Sequence, residues 1–266
     1  MKTSIHRIRV SLALALIVAG AATAQIQGTI INNDDKAFTG KIRWKGSTKS
    51  YAVTIGQTDL EVPLASVKDV QVPRPKEYDT AVNLIQQGNS AGAIPILEKI
   101  VAEYLMLQWD EVATRLLGDA YLKSGDAKKA AAVCEKIISG APDKAYLGEM
   151  APIYWQALLK LDRPAKVEEL VTKAIKSGSR QASASALNMR GDLILATGET
   201  IDINKKALRD GFLRVVTLYR DVKEAQPEAL YKAAKCFEKI GQTGRADQMR
   251  TELKREYGAT EWARKL

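Results

Sequence analysis

The sequence predicts an α+β chain in two parts, a small N-terminal β-barrel followed by an all-α solenoid of helix pairs. Residues 25–72 alternate apolar and polar side chains with a period of two, which is typical of half-buried strands. Residues 76–266 instead repeat a spacing of small residues, which indicates stacked helix pairs. The run Pro73-Arg74-Pro75 separates the two patterns and marks the boundary.

Residues 1–24 have the pattern of a secretory signal peptide. Basic residues precede an unbroken apolar stretch at 12–19, and Ala22-Thr23-Ala24 supplies the small-x-small pattern of a cleavage site. The apolar stretch is too short to span a bilayer comfortably, and a retained N-terminal anchor is the alternative. We therefore expect cleavage after Ala24, a periplasmic or secreted protein, and no integral membrane segment in the remaining chain.

The composition of the remaining chain excludes most catalytic chemistry. Residues 1–24 hold three of the 40 Lys and Arg residues and none of the 31 acidic ones, which leaves a net charge of +6. They also hold His6, the only histidine in the sequence. Without an imidazole, Ser-His-Asp and Cys-His catalysis and histidine-containing metal sites are excluded. We expect no catalytic residue, no metal site and no cofactor, with carboxylate- or lysine-based chemistry as the remaining enzymatic route.

The two cysteines, Cys134 and Cys236, each lie in an apolar helical pattern. This position predicts two small buried hydrophobic side chains. A disulfide between them is the alternative, because the compartment beyond the inner membrane is oxidising.

The N-terminal module, 25–75, is predicted to contain five short strands. Their predicted ranges are 26–31, 39–45, 50–55, 58–63 and 67–72. So many strands in fewer than fifty residues bury a face by curling into a small barrel. The spacings Gly40-x-Ile42 and Tyr51-x-Val53 resemble those of an SH3-like or Sm-like barrel, as does Pro63-Leu64-x-x-Val67.

One strand of this module carries a basic alternation. Lys41, Arg43 and Lys45 lie on the face opposite Ile42 and Trp44. The segment as a whole has seven basic and five acidic residues, which is a poor electrostatic footprint for nucleic acid. We therefore predict a solvated outer face and no nucleic-acid partner.

The second part, 76–266, carries a repeat frame. The run Leu117-Gly118-x-x-Tyr121-x-x-x-Gly125, followed by Ala130, resembles the tetratricopeptide repeat (TPR). Its small residues mark the place where two helices approach closely, and its glycine ends the first helix in a conformation that other residues disfavour. The frame recurs five times, with turns at positions 88, 125, 162, 198 and 241.

Two of these repeats depart from the frame. Trp155 stands where a small residue belongs, which predicts a distorted third repeat. The last step between turns is 43 residues, against 36 or 37 for the others, which predicts an insertion at 199–206.

The resemblance implies a function. TPR arrays are solenoids with a concave groove that binds peptides or partner proteins, which implies a non-enzymatic scaffold or adaptor. The run from Leu253 to Ala263 is similar to the repeat ends of bacterial envelope proteins, which implies an envelope protein or peptide as the partner. The groove candidates that the frame assigns are Arg115, Asp119, Asn188, Asp192, Tyr231 and Lys235.

Two alternatives stay open. One is a component of an envelope machine whose solenoid associates with itself. The other is a cell-wall-binding protein whose β-module contacts an acidic polymer. The sequence does not identify the partner or the pathway.

Overall fold

The computed structural model describes residues 25–266, so the expected signal peptide lies outside the described residues. An antiparallel sheet comes first, and helices follow it. The strands are β1 (Ile26–Asn32), β2 (Ala37–Lys45), β3 (Ser50–Ile55), β4 (Thr58–Pro63) and β5 (Val67–Gln71). The five predicted strands are confirmed, with ends that shift by two residues at most.

The sheet is open rather than closed into the predicted barrel. Its strand order is β4-β3-β2-β1-β5, and no ladder joins the edges β4 and β5 in the part of the chain that the structure describes. The loop between the second and third helices packs against its apolar face instead. The hydroxyl of Tyr51 donates to the Met106 carbonyl at 2.9 Å, and Nε1 of Trp109 donates to the Val72 carbonyl at 3.3 Å. The SH3-like or Sm-like character of the module stays a prediction.

Twelve helical segments follow the sheet within residues 25–266. They are α1 (Tyr78–Gln86), α2 (Ser90–Glu103), α3 (Trp109–Lys123), α4 (Ala127–Gly140), α5 (Ala151–Lys160), α6 (Pro164–Lys176), α7 (Arg180–Leu195), α8 (Ile201–Ala207), α9 (Leu213–Leu218), α10 (Gln226–Lys239), α11 (Thr243–Tyr257) and α12 (Glu261–Arg264). A π-helical turn, Leu208–Phe212, joins α8 to α9. The sheet and helices α1 to α7 share one hydrophobic core, in which Ile30, Ile42 and Val53 of the sheet are fully buried.

The five predicted turns between paired helices are confirmed. Each turn residue has a positive φ: Gly88 79°, Gly125 84°, Asp162 55°, Gly198 149° and Gly241 75°. This left-handed conformation ends a helix and reverses the chain, and it favours glycine because a Cβ is disfavoured there. The helix pairs are therefore α1–α2, α3–α4, α5–α6, α7 with α8–α9, and α10–α11.

The third pair is distorted at the predicted position. Trp155 in α5 is fully buried, and its Nε1 donates to the Ala145 carbonyl at 2.8 Å. A 3₁₀ turn, Pro142–Ala145, supplies that carbonyl and delays the start of α5. The indole therefore fits because the 3₁₀ turn replaces a regular helix connection and offers a carbonyl to its N–H.

The insertion predicted at 199–206 is wrong. The second helix of the fourth pair begins at Ile201, close behind the turn, and continues through the π-helical turn to Leu218. The extra length lies in this long second helix and in the segment 219–225 that follows it. A π-helical turn adds residues within a helix without breaking it, and no sequence spacing distinguishes that from a loop insertion.

Two glycines explain the position of the π-helical turn. A Cβ on Gly211 would lie 2.7 Å from the Cα of Gly191, and a Cβ on Gly191 would lie 2.4 Å from the ring of Phe212. Helix α7 and the second helix of the fourth pair therefore cross backbone to backbone at this point.

Between α2 and α3, a strained loop joins the helices to the sheet. Met106 and Gln108 have φ values of 60° and 73°. The carboxylate of Asp110 accepts a hydrogen bond from the Met106 backbone N–H at 2.6 Å, which fixes the carbonyl that Tyr51 contacts. Burial raises the pKa of Asp110 to about 6, and backbone hydrogen bonds offset only part of this effect.

Replacement of Gly191 by alanine tests the backbone crossing. We expect Gly191→Ala to lower the free energy of unfolding by about 2 kcal/mol, because the methyl group collides with the ring of Phe212. Gly244→Ala is the matched control, since a Cβ there meets nothing within 4 Å, and we expect it to stabilise the chain by about 0.5 kcal/mol. Urea denaturation measures both, and equal stabilities would contradict the crossing.

Asp110 predicts a pH dependence of stability. Its pKa is higher in the folded chain than in the unfolded chain, so the folded state binds the proton more tightly. Its contribution to stability is therefore full below about pH 4 and is lost as the pH rises through about 6, a fall on the order of 3 kcal/mol. Asp110→Asn should flatten the wild-type slope between these pH values in urea denaturation. An unchanged slope would mean that another group binds the proton.

Candidate protein-binding groove

A cavity of about 690 Å³ opens along the first helices of three successive pairs. Helix α3 contacts α5, and α5 contacts α7, so these helices lie side by side. The cavity lies near the N-terminal ends of α5 and α7 and extends to the segment before α10. Its lining includes Arg115 from α3, Tyr146 and Glu149 from the segment before α5, Gln181 from α7 and Glu224 from the segment before α10.

The wall of this cavity is mostly apolar, with charges on its lining. Leu147 and Pro152 contribute apolar surface, and the buried Trp155 lies behind them. Nε of Arg115 lies 3.3 Å from a carboxylate oxygen of Glu149, and both side chains remain substantially exposed. An apolar concavity with a few oriented polar groups is the usual form of a ligand site.

Arg115 is the predicted groove residue that lines this cavity. Asp119, one helical turn further along α3, instead forms an ion pair with Lys123 at 2.8 Å. Lys123 also lies 3.4 Å from Glu261 of the C-terminal turn α12, 138 residues away in the sequence. Asp119 therefore belongs to a series of ion pairs that links the second helix pair to α12.

Asn188 lies inside the array rather than on an open groove surface. Its side chain is 1% exposed, and its Nδ2 donates to the Ala225 carbonyl at 3.0 Å. That carbonyl belongs to the residue before α10, so Asn188 joins α7 to the fifth helix pair. The side chain of Asn188 therefore holds α7 against the fifth helix pair.

Asp192 forms a partly buried ionic cluster with Lys232, a residue that sequence reasoning missed. Its carboxylate lies 2.6 Å from Nζ of Lys232, which also pairs with Glu228 one helical turn earlier in α10. Burial and the neighbouring Glu228 raise the pKa of Asp192, because two carboxylates share one ammonium. Burial alone would lower the pKa of Lys232. The two carboxylates raise this pKa by a larger amount, so its net shift is upward. The i,i+4 spacing of Glu228 and Lys232 was a signal that pointed to this pair.

The last two predicted residues lie beside this cluster. Tyr231 is half-buried, and its ring centroid lies 5.4 Å from that of Trp262 in α12. Lys235 is exposed and lies 3.8 Å from Glu238. The structure thus divides the six candidates: Arg115 lines the open cavity, Asn188 lies in the interior, and Lys235 is exposed, whereas Asp119, Asp192 and Tyr231 lie beside side chains that contact α12 or contact it themselves.

No other chemical site stands out in residues 25–266. They contain no group of three or more side chains suited to hold a metal ion, and none of their helices is long and apolar enough to cross a membrane. Cys134 and Cys236 are free and buried, as predicted from their apolar surroundings. Burial raises their pKa values to about 12 and about 11, so both thiols are unreactive at neutral pH.

Residues 228–259 match the tetratricopeptide repeat family. This segment spans most of α10, the turn at Gly241, and α11. The other helix pairs reverse at the same kind of left-handed turn. The match and the shared geometry together support the predicted TPR-like array.

No curated protein sequence matches the chain. Two crystal structures of the nearly identical TPR-like repeats of a Podosopora anserina kinesin light chain, one of them a variant, resemble it. Both are 14% identical to this chain and are 95% covered, with 69% and 70% of this chain aligned. The TM-scores are 0.43 and 0.41.

The ionic cluster predicts a large cost for the loss of its cation. We expect Lys232→Met to lower the free energy of unfolding by about 3 kcal/mol, because Asp192 and Glu228 would remain close together without a counter-charge. Lys235→Met is the matched control, three residues away on the same helix. It should change stability by less than about 0.5 kcal/mol, since its ion pair is exposed. Similar losses in both variants, by urea denaturation, would argue against the cluster.

Proposed function

We propose that the protein is an exported, non-enzymatic adaptor that holds a segment of a partner protein on the concave face of its helical array. The cavity of about 690 Å³ along α3, α5 and α7 is the observation that carries this proposal. The family match in the fifth pair supports it, because TPR-like arrays suit protein interaction.

The chemistry of the cavity suits a peptide segment. Apolar side chains of a partner would pack against Leu147 and Pro152. The guanidinium of Arg115 and the carboxylates of Glu149 and Glu224 offer polar contacts to the backbone and side chains of that segment. The guanidinium of Arg115 already pairs with Glu149, so a partner segment would have to contact Arg115 alongside that carboxylate.

Export and the cell envelope are part of the proposal. They rest on the signal-peptide pattern of residues 1–24 and on the similarity of the C-terminal run to repeat ends of envelope proteins. The proposed partner is therefore an envelope protein or peptide. Self-association and binding to a wall polymer are the other outcomes that an experiment must separate.

Site-specific photocrosslinking in intact cells tests the proposal. A photoreactive residue is placed at Gln181, which lines the cavity, or at Ala132, which is exposed on α4, a second helix of a pair. We expect Gln181 to capture one dominant protein that Ala132 does not capture, and we expect Arg115→Glu to reduce this capture several-fold.

Three outcomes would contradict the adaptor. Equal capture from both positions would place the contact elsewhere. Capture of the chain by itself alone would favour a self-assembling component, and capture of wall material alone would favour a wall-binding protein. The exposed pair of Arg115 and Glu149 contributes little to stability, so the charge reversal should leave the thermal melting curve unchanged.

A further inference from the structure

The C-terminal turn of the chain lies on the surface that joins the fifth pair to the second. Helix α12 contacts both α10 and α11. Its Trp262 packs against the ring of Tyr231, and Nζ of Lys232 lies 5.4 Å from the centroid of the indole. Its Glu261 reaches Lys123 at the end of α3. We name the surface formed by Lys123, Tyr231 and Lys232 the C-terminal seat.

The contacts that hold α12 on this seat are weak. The helix has four residues, and none of them is buried. The side chains of Glu261 and Lys123 are 49% and 41% exposed, and exposed ion pairs contribute little. A four-residue helix without a buried residue opens at little cost, because few contacts join it to the rest of the protein.

The seat beneath the turn is held in place independently of α12. Lys232 is fixed by its two carboxylates, Asp192 and Glu228, and Lys123 by Asp119. The two ammonium groups of the seat therefore have partners that do not depend on the turn. A preformed surface under a weakly held segment is suited to exchange one occupant for another.

We propose that the C-terminal seat recognises a partner segment in which an acidic residue directly precedes an aromatic one, and that the chain's own Glu261-Trp262 occupies the seat until such a segment displaces it. The carboxylate meets the ammonium of Lys123. The aromatic ring meets the ring of Tyr231 and the ammonium of Lys232, an arrangement favoured by the ring quadrupole.

The charges of the seat refine the chemistry of this partner. Asp119, Asp192 and Glu228 surround the two ammonium groups, so the seat and its supports carry one more negative than positive charge. The segment that now occupies the seat carries Lys265, whose Nζ lies 2.9 Å from a carboxylate oxygen of Glu261 and 4.1 Å from the centroid of the Trp262 indole. The partner segment is therefore expected to continue with basic residues after the aromatic one.

A fluorescent peptide with the sequence of residues 258–266 is the probe, and fluorescence anisotropy measures its binding to the full chain. We expect weak binding to the wild type, because its own turn occupies the seat. Trp262→Ala in the chain should strengthen binding at least about tenfold, since the seat is then free in most molecules. Glu261→Lys, which places a cation beside Lys123, should release the turn in the same way.

Two controls make the result specific. Leu266→Ala, in the same exposed tail, should bind the peptide as weakly as the wild type does. Lys123→Ala, added to Trp262→Ala, should weaken peptide binding several-fold, because the carboxylate of the peptide loses its cation. A peptide with alanine in place of the tryptophan should not bind the released seat.

Failure of this inference is distinct from failure of the adaptor. If folded Trp262→Ala and Glu261→Lys chains bind the peptide no better than the wild type, α12 is only a structural end cap. The inference rests on the proposed function only in that the partner is a protein. Arg115→Glu should leave peptide binding unchanged, whereas it should reduce crosslinking from Gln181.

Discussion

The left-handed turn inside each helix pair is the constraint on which the array depends. At Gly88 and Gly125 the turn is followed at once by a side chain that caps the next helix, Asn89 to the N–H of Gly92 and Asp126 to that of Lys129. One residue thus ends a helix and the next begins another, which leaves no freedom for a longer loop. Antiparallel pairs follow from this, and stacked pairs place their first helices side by side.

The sheet belongs to the same core as these helices. A closed barrel would bury its apolar face within the sheet alone. Here the loop between α2 and α3 covers that face, and the hydrogen bonds from Tyr51 and Trp109 attach the two parts. The two positive φ values of this loop cost conformational energy, and the buried carboxylate of Asp110 helps to hold it. A module that looks independent in sequence is therefore joined to the array by a strained contact.

Local patterns predicted the elements well, because strands and turns are set by neighbouring residues. All five strands and all five left-handed turns were predicted, and even the irregular pair around Trp155 was found from one misplaced side chain. The open sheet edge and the π-helical turn were not predicted, since both depend on which surfaces meet in three dimensions. The surroundings of the six groove candidates were not predicted for the same reason. Helical spacing predicts which residues share a face of a helix, but it does not predict which other segment packs against that face. Asn188, which contacts the Ala225 carbonyl, and Lys232, which pairs with Asp192, are examples.

The first helices of the pairs carry their charges mostly as internal pairs. Arg115 is paired with Glu149, Lys123 with Asp119, and Lys232 with Asp192. A partner that relied on charge alone would have to break or share such a pair, and the desolvation and geometry of that exchange oppose it. Affinity must then come mainly from apolar and aromatic contacts, with the paired charges selecting among partners. Both surfaces described above have this form: the cavity near Arg115 is open, and the surface at Tyr231 and Lys232 is covered by Trp262.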